Sequence, residues 1–188
     1  MSSRSTVLKN RGSAAKRAAT ALRSIADDTG FDIADRGVLL AAAKIADSFA
    51  HRKEREAKQA KSEEAKYERD NKAARAKIEP AVRALPCQTI AEKVVLTCIR
   101  SHFYSYLVKA LSQPTQREIQ WELDYYAQTA LSDTISNAAY WVATGKGSAD
   151  QAIEDIKGKH SEIKADPKIT ALAARFVEAL TPAQQVAA

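Results

Sequence analysis

The segment from His51 to Lys77 limits the fold of this chain more than any other feature. Its 27 residues carry 16 charged side chains and contain no glycine, no proline and no large aliphatic residue. Glu54 with Lys58 and Glu68 with Lys72 stand four residues apart, a spacing at which opposite charges stabilise a helix by about 0.2–0.5 kcal/mol per pair. The segment therefore predicts one continuous helix exposed to water, about 40 Å long at about 1.5 Å per residue. It lacks the repeating apolar positions of a coiled coil, so strong self-pairing along it is not expected.

The composition of the whole chain also favours helices. It has 188 residues, of which 45% are hydrophobic and 28% charged, with only 6 glycines and 5 prolines. That number of glycines and prolines is too small for the many turns of a β-sandwich or barrel. No apolar run approaches the roughly 20 residues of a membrane span. The sequence therefore predicts a soluble, all-α fold in one medium or two small domains.

A helical hairpin is predicted around the start of the charged segment. From Ala14 to Ala26, apolar residues recur at steps of three and four, which is the period of a helix with one buried face. Gly30 is placed to end this helix, and Asp32 can cap a second one. The second helix opens with the apolar residues 38–50 and continues into the charged segment.

The remainder of the chain predicts a compact bundle of four helices. Pro80 and Pro86 mark a break in the long helix and a domain boundary. The predicted helices cover 88–112, 115–144, 148–164 and 167–180, and the first two are expected to form an antiparallel pair. Their starts follow from side chains that can cap free amide donors, at Thr89, Thr115, Ser148 and Asp166. The predicted domains are a flexible basic arm over 1–13, the hairpin with its long charged helix over 14–85, the bundle over 86–181 and a C-terminal tail over 182–188.

The net charge of +6 is concentrated at the N-terminus. Residues 1–23 carry six basic side chains and no acidic one, so the rest of the chain is balanced. Residues 51–77 form a second basic stretch, with 10 basic and 6 acidic side chains. Such clusters bind phosphates without reading sequence, although a solubilising arm and a solvated helix face have the same composition. The candidate nucleic-acid contacts are Arg4, Lys9, Arg11, Lys16, Arg17, Arg23, Arg52, Lys53 and Arg55.

A sequence-specific DNA-binding motif is an alternative for the hairpin. Ala26 and Gly30 have the separation found in the tight turn of a helix-turn-helix motif. However, the second helix would present Asp32 and Asp35 to phosphates, and Arg36 stands where an apolar anchor is needed. The sequence therefore favours an ordinary helical hairpin.

Eight of the twelve aromatic residues lie between Phe103 and Trp141. Adjacent side chains on a helix point about 100° apart, so one member of a pair such as Tyr125 and Tyr126 is expected outside the core. Exposed aromatic side chains are common anchors for protein partners. We expect Tyr104, Tyr125 and Tyr140 to bind a protein in this way, which makes a binding module or inhibitor the alternative function.

Catalytic and metal-binding patterns are weak throughout the chain. Glu118 and Glu122, one helical turn apart, are the best candidates for carboxylate chemistry, so a helical enzyme is kept as a further alternative. No histidine follows a glutamate by three residues, as a di-iron bundle requires. The GKGS segment at 145–148 lacks the first glycine of a phosphate loop and is expected to be a turn. No cofactor or metal is predicted, and Cys87 and Cys98 are expected to be buried free thiols.

These patterns predict a non-enzymatic assembly or accessory protein that contacts nucleic acid without sequence specificity through its basic N-terminal arm. By analogy with small helical proteins in general, a phage or plasmid context is expected. The basic start lacks the apolar stretch of a secretory signal, so we expect a cytoplasmic location, or the host cytoplasm or virion if the chain is phage-encoded. An organelle transit peptide is the alternative explanation of the acid-free start. A protein partner or homo-oligomer is expected, and no membrane.

Overall fold

A computed structural model describes residues 3–28, 30 and 32–181 of the protein. Within these residues the chain forms seven α-helices and no strand, which confirms the all-α prediction. The predicted tail over 182–188 lies outside the described residues. The helices are α1 (Arg4–Ala26), α2 (Ile33–Arg83), α3 (Ile90–Cys98), α4 (Tyr104–Ala110), α5 (Gln116–Ala143), α6 (Ala149–Ala165) and α7 (Pro167–Leu180), with a 3₁₀ turn at Ser101–Phe103.

The chain divides into two compact units, which we call the hairpin unit (residues 1–67) and the bundle unit (residues 68–188). The division falls within α2 and not near residue 85, where the sequence analysis placed it. The reason is that Ala74, Ile78 and Val82 of α2 are buried in a cluster with residues of α5 and α6. The last turns of α2 therefore belong to the core of the bundle unit.

Helix α1 begins at Arg4, so the prediction of a flexible arm over 1–13 is wrong for most of that segment. Ser3 caps the helix, because its hydroxyl accepts a hydrogen bond from the amide three residues on, at 3.3 Å. Leu8 and Gly12 are buried. The segment therefore has a face to pack, although its small side chains give little hydrophobic signal in the sequence.

Within the hairpin unit, α1 and the first part of α2 run antiparallel, as the hairpin prediction requires. At the start of α1, the hydroxyl of Ser5 donates a hydrogen bond to the Glu64 carboxylate at 2.7 Å, and the Ser5 amide donates to it at 3.2 Å. Towards the end of α1, Arg23 pairs with Asp47. This side-by-side arrangement differs from a helix-turn-helix motif, whose two helices cross at about 90–120°.

Small side chains form the seam between these two helices. A Cβ atom on Gly12 would lie 3.4 Å from the carbonyl oxygen of Ala50 and 3.4 Å from the Cβ atom of Lys53. The helices therefore approach closely at this point, and a large residue does not fit there. On α2 the buried positions are also small, at Ala43, Ala50 and Ala60. The seam of α1 repeats at alternating steps of three and four residues and consists of Ser5, Leu8, Gly12, Ala15, Ala19, Leu22 and Ala26.

Helix α2 is continuous from Ile33 to Arg83, which confirms the long charged helix. Most side chains over 51–77 are exposed. The predicted break at Pro80 is wrong, because the helix continues through Pro80 to Arg83. Proline has no amide donor, so one helical hydrogen bond, to the carbonyl of Ala76, is not made near the end of the helix. The helix ends ahead of Pro86, whose ring disfavours the helical conformation for the preceding residue.

Helices α5, α6 and α7 begin within one residue of their predicted starts. Thr115, Ser148 and Asp166 each accept a hydrogen bond from a backbone amide in the first turn, as predicted. Helix α3 begins in the same way, with a complete capping box between Thr89 and Glu92. These starts were predictable because every group involved lies within three residues.

The predicted helix over 88–112 is wrong, because the chain breaks it into α3 and α4. Lys93 of α3 contacts Asp124 of α5, with 2.6 Å between Nζ and Oδ1. Ten residues later, the ring centroid of Phe103 lies 5.5 Å from that of Tyr126, also on α5. A straight helix would have advanced about 15 Å over that distance. The chain instead reverses direction, so the predicted antiparallel pair of two long helices is not formed.

Two hydrophobic clusters form the core of the bundle unit. The first joins α3, α4, the first half of α5 and α7, around the fully buried residues Leu107, Leu123 and Phe176. The second joins the end of α2, the second half of α5 and α6, around Ile78 and Ile135. Both halves of α5 are therefore anchored, which fixes the side chains on its outer face.

Candidate functional surfaces

The positive charge of the protein belongs to the hairpin unit. Residues 1–67 contain 14 basic and 9 acidic side chains, a net charge of +5, whereas residues 68–188 contain 15 and 14, a net charge of +1. The charge is also uneven within the hairpin unit. Residues 1–23 and 51–67 together carry 12 basic and 4 acidic side chains, whereas residues 24–50 carry 2 and 5. The end of the hairpin unit away from its turn is therefore strongly basic.

Three of the six basic residues predicted on α1 are paired with acidic residues of α2. Arg4 lies 3.8 Å from Glu63 and Lys16 lies 3.6 Å from Glu54, measured between the charged atoms. Arg23 forms the pair with Asp47 described above. Part of the predicted nucleic-acid surface therefore holds the hairpin together, and these three side chains are less available to phosphates.

The basic residues predicted on α2 are also partly engaged. Lys53 lies 2.6 Å from Glu56 and Arg52 lies 4.0 Å from it, and the hydrogen bond from Lys53 lowers the pKa of the Glu56 carboxyl. Both cations lie over the ring of Phe49, at 5.3 Å for Arg52 and 5.4 Å for Lys53. Arg55 is exposed, and no carboxylate of the described residues lies within ion-pair distance of it. Of these three residues, Arg55 is the most available to a ligand.

A groove between α1 and α2 brings three lysines together. Its volume is about 460 Å³, and Lys9, Lys58 and Lys61 line it. None of the three has an ion-pair partner among the residues that the structure describes. The one carboxylate in its lining is Glu54, which is already paired with Lys16. The rest of the lining is polar or small and consists of Ser5, Thr6, Ser13 and Ala57.

The groove is a basic concavity that the sequence predicts only in part. Lys9 was a predicted contact and Lys58 belongs to the second basic stretch predicted to bind phosphates, whereas Lys61 was not singled out for this role. The positions of Lys58 and Lys61 follow from the antiparallel pairing of the helices. Ser5 of α1 contacts Glu64 of α2, so the residues after Ser5 lie opposite the residues before Glu64. Lys9 therefore comes opposite Lys61. Lys9, Arg11 and Arg17 are the predicted α1 contacts that remain without an ion pair in the described part of the chain.

A continuous aromatic surface, which we call the aromatic patch, lies on the 3₁₀ turn, α4 and α5 of the bundle unit. Trp121 and Tyr125 are stacked, with 5.5 Å between ring centroids and 10° between planes. Tyr125 contacts Tyr126 at 5.3 Å, and Tyr126 in turn stacks on Tyr106 at 5.3 Å and contacts Phe103 at 5.5 Å. Trp121 is 62% exposed although Phe103 is buried. The patch is therefore an exposed surface fixed to the core.

Of the three tyrosines predicted to bind a protein, Tyr125 alone belongs to the aromatic patch. Tyr104 is 36% exposed at the start of α4, and Tyr140 is 52% exposed near the end of α5. Tyr140 lies under the ammonium of Lys146, at 5.9 Å from the ring centroid. Trp121, the most exposed aromatic residue in the described part of the chain, was not among the predicted contacts, although its four-residue spacing from Tyr125 was a usable signal.

The carboxylates proposed for catalysis each lie beside a hydroxyl-bearing side chain of α5 or its cap. Glu118 is exposed, and the hydroxyl of Thr115 donates a hydrogen bond to its carboxylate at 2.7 Å within the cap of α5. Glu122 lies beside Tyr126, whose pKa is raised by burial and further by Glu122. Within residues 3–28, 30 and 32–181, no three His, Cys, Asp or Glu side chains form a group suited to a metal ion.

The two cysteines and the GKGS segment at 145–148 were also singled out in the sequence. Both cysteines are free thiols, but Cys87 is only half-buried, so the expected burial is confirmed for Cys98 alone. Cys98 is buried, and burial raises its pKa to about 12, so it is protonated near neutral pH. Gly145 takes a positive φ of 73° at the end of α5, where the amides of residues 145 and 146 donate to carbonyls of the last helical turn. A Cβ atom on Gly147 would lie within 1.8 Å of the Trp141 ring. The segment is thus a turn, as predicted, and its second glycine makes room for a tryptophan.

No family model matches the chain, and no curated protein or solved structure shows significant similarity to it. Among the described residues, every helix is too short or too polar to cross a lipid bilayer. The basic groove of the hairpin unit and the aromatic patch of the bundle unit are therefore the features from which a function can be inferred.

Proposed function

We propose that the protein is a non-enzymatic assembly or accessory protein whose hairpin unit contacts nucleic acid without sequence specificity. The observation that carries this proposal is the groove in which Lys9, Lys58 and Lys61 converge without a neutralising carboxylate of their own. The phage or plasmid context and the cytoplasmic or virion location expected from the sequence are part of the same proposal. The N-terminal segment acts in it as one wall of a folded groove, not as a flexible arm.

Phosphate binding by this surface follows from simple electrostatics. Each lysine that neutralises a phosphate releases a condensed counterion. The logarithm of the binding constant therefore decreases linearly as the logarithm of the salt concentration increases, with a slope of about −0.9 per contact on duplex DNA. Lysine is a flexible point charge and reads no base edge. No aromatic residue lines the groove to stack on an unpaired base. The exposed and unpaired side chains of Arg11, Arg17 and Arg55 extend the basic surface.

The test replaces the three groove lysines together, as Lys9→Gln, Lys58→Gln and Lys61→Gln. Binding of a random-sequence duplex is measured by fluorescence anisotropy between about 50 and 200 mM salt. We expect weaker binding at every salt concentration and a salt slope reduced in magnitude by roughly 2 to 3. Deletion of residues 1–23 is not a suitable test, because it removes α1 and with it the packing of the hairpin unit.

The matched control replaces three exposed lysines of the bundle unit, as Lys109→Gln, Lys159→Gln and Lys168→Gln, which removes the same net charge. This variant should keep nearly the full salt slope. The proposal fails if the unaltered protein does not bind the duplex at low salt. It also fails if the groove variant and the control variant lose affinity equally, because net charge alone would then account for binding.

The aromatic patch supports a second candidate function, a protein-binding module or inhibitor. Trp121 and Tyr125 expose large ring surfaces that are already held in place by stacking, so little side-chain entropy is lost when a partner covers them. Glu118 and Glu122 lie on the same helix close to the two rings, which disfavours phosphates. The patch therefore suits a protein surface that offers apolar or cationic side chains.

The test of this candidate compares two variants of the full chain. Trp121→Ala combined with Tyr125→Ala removes the exposed stack, whereas Tyr140→Ala removes an equally exposed tyrosine outside the patch. A partner that binds through the patch should still bind the Tyr140→Ala variant and should not bind the double variant. In the complex, the bound partner should slow amide hydrogen exchange around 121–126. Equal retention by both variants would contradict the candidate function.

A further inference from the structure

The first part of α2 carries a second apolar face that packs against nothing in the described structure. Ala34, Val38, Ala41 and Ile45 follow one another at steps of four, three and four residues, and Phe49 continues the row. At 100° per residue this row, which we call the outer stripe, lies on the opposite side of α2 from the seam with α1. Val38 is 69% exposed and Ile45 is 72% exposed.

The end of the outer stripe forms a hole of the type that receives a side chain from a second helix. A depression of about 340 Å³ is lined by Lys44, Ile45, Ser48, Phe49 and Arg52. Four of these, from Ile45 to Arg52, occupy positions i, i+3, i+4 and i+7 of the helix. That is the set of four residues that surrounds one inserted side chain in a coiled-coil seam. The stripe itself offers side chains of suitable size to fill it, such as Val38.

The charges at the two ends of the outer stripe indicate which surface it can pair with. Asp35 flanks the stripe near its start, and Arg52 lies at its end, over the Phe49 ring. When two copies of α2 pair antiparallel with Val38 opposite Phe49, the same register places Asp35 opposite Arg52. A parallel pair would place each of these charges opposite its own copy, which is repulsive. The two ends of the stripe are therefore complementary to each other in the antiparallel direction.

We propose that the outer stripe is the interface of a symmetric dimer, in which α2 packs antiparallel against α2 of a second copy. Val38 of each chain enters the hole between Ile45 and Phe49 of the other. Ile45 of one chain then faces the small side chain of Ala42 in its partner, so large residues alternate with small ones. Such an interface is isologous and closed, which limits the assembly to two chains. The proposal goes beyond nucleic-acid binding and does not rest on it.

The test measures the mass of the full-length protein by sedimentation equilibrium over a range of concentrations. The unaltered protein is expected to show a concentration-dependent dimer. Ile45→Glu should weaken association by roughly 30-fold or more, because it places a carboxylate at the centre of an apolar contact. The matched control is Ile33→Glu, since Ile33 is 90% exposed on the same helix but lies outside the stripe. This control should dimerise like the unaltered protein.

A charge exchange tests the antiparallel direction. Asp35→Arg alone should weaken the dimer, and the double variant Asp35→Arg with Arg52→Asp should restore it, because opposite charges again face each other. Far-ultraviolet circular dichroism verifies that every variant keeps the helix content of the unaltered protein. A protein that stays monomeric at all concentrations overturns the proposal, and so does a dimer that Ile45→Glu leaves intact. A dimer that the double variant fails to restore overturns the antiparallel register.

Discussion

The hairpin unit and the bundle unit are both helical, but their helices are held together by different means. The hairpin unit buries mainly small residues, such as Gly12, Ala19 and Ala50, and places ion pairs beside the seam. The bundle unit buries large ones, such as Leu172 and Phe176, in a continuous cluster. Since each buried methylene contributes about 0.8 kcal/mol, the bundle unit gains far more from apolar burial. The hairpin unit depends instead on close approach of its helices.

This difference explains what each unit presents at its surface. A seam of alanine and glycine uses few side chains, so most positions of α1 and α2 stay exposed, and many of them carry charge. A core of large residues fixes neighbouring side chains firmly, so the bundle unit can hold aromatic rings at its surface in one arrangement, as in the Trp121 and Tyr125 stack. The hairpin unit is therefore suited to electrostatic contacts, and the bundle unit is suited to contacts that depend on complementary shape.

The largest effect is expected from Phe176→Ala in the bundle unit. Phe176 has no exposed surface, and truncating a buried phenylalanine lowers the free energy of unfolding by about 3–5 kcal/mol, because a cavity is left behind. Denaturant unfolding followed by tryptophan fluorescence measures the loss, since Trp121 and Trp141 both lie in the bundle unit. The neighbouring variant Val177→Ala, at a position that is 42% exposed, should lose much less. Similar losses for both variants would show that the core is not packed as described.

A smaller effect is expected from Gly12→Leu in the hairpin unit. A Cβ atom at Gly12 is already in contact with α2 at 3.4 Å, so the additional atoms of leucine force the helices apart, at a cost of about 1–3 kcal/mol. Hydrogen exchange of α1 amides measures the weakened packing. Ala14→Leu, at an exposed position two residues away, is the control and should leave the exchange rates nearly unchanged. Faster exchange in the control as well would contradict the proposed seam.

The two units also differ in how much of their structure the sequence reveals. The starts of α5, α6 and α7 were predictable, because a cap involves groups within three residues and has a recognisable pattern. The start of α1 was missed, because burial at Leu8 and Gly12 depends on pairing with residues of α2 that lie about forty positions away. The reversal near Arg100 was missed for a similar reason. No glycine or proline marks it, and the packing of α3 and α4 on the same part of α5 decides it.

The candidate surfaces follow the same division. The charge of residues 1–23 was visible in the sequence, but its partial neutralisation by Glu54, Glu63 and Asp47 depends on tertiary pairing. The groove with Lys58 and Lys61 likewise exists only when α1 and α2 lie side by side. Tyr125 was predicted from local helix geometry. Trp121 was predictable from its spacing to Tyr125, whereas the contacts of Phe103 and Tyr106 with Tyr126 depend on tertiary packing.

The bundle unit should also lose stability in mild acid through His160. This residue is buried, and its Nε2 atom has no hydrogen-bond partner among the described residues. Burial lowers its pKa from the ordinary value of 6.5, Lys164 lowers it further, and Glu92 on α3 opposes them. The unfolded chain therefore takes up a proton before the folded one does as the pH falls. The stabilising contribution is complete above pH 6.5 and is lost as the pH drops through the lowered pKa of the folded state.

This effect is measured by chemical unfolding at a series of pH values from about 7.5 to 5. That range is about the width over which histidine titrates. His160→Gln removes the titrating group, so its free energy of unfolding should vary less with pH than that of the unaltered protein. Identical pH dependence in both proteins would show that His160 is accessible to water in the folded bundle unit.

The smallest effect is expected from the ion pairs, and it separates the two units most directly. Exposed ion pairs contribute about 0.2–1 kcal/mol and are weakened by salt. A double-mutant cycle on Arg23 and Asp47, with both replaced by alanine singly and together, should give a coupling energy in that range at low salt. The same cycle on Lys93 and Asp124 of the bundle unit, whose charged atoms are 2.6 Å apart, provides the comparison. Salt should lower both coupling energies, because it screens the two charges of each pair. A coupling energy near zero for Arg23 and Asp47 at low salt would show that the small-residue seam, and not the pairs beside it, holds the hairpin unit together.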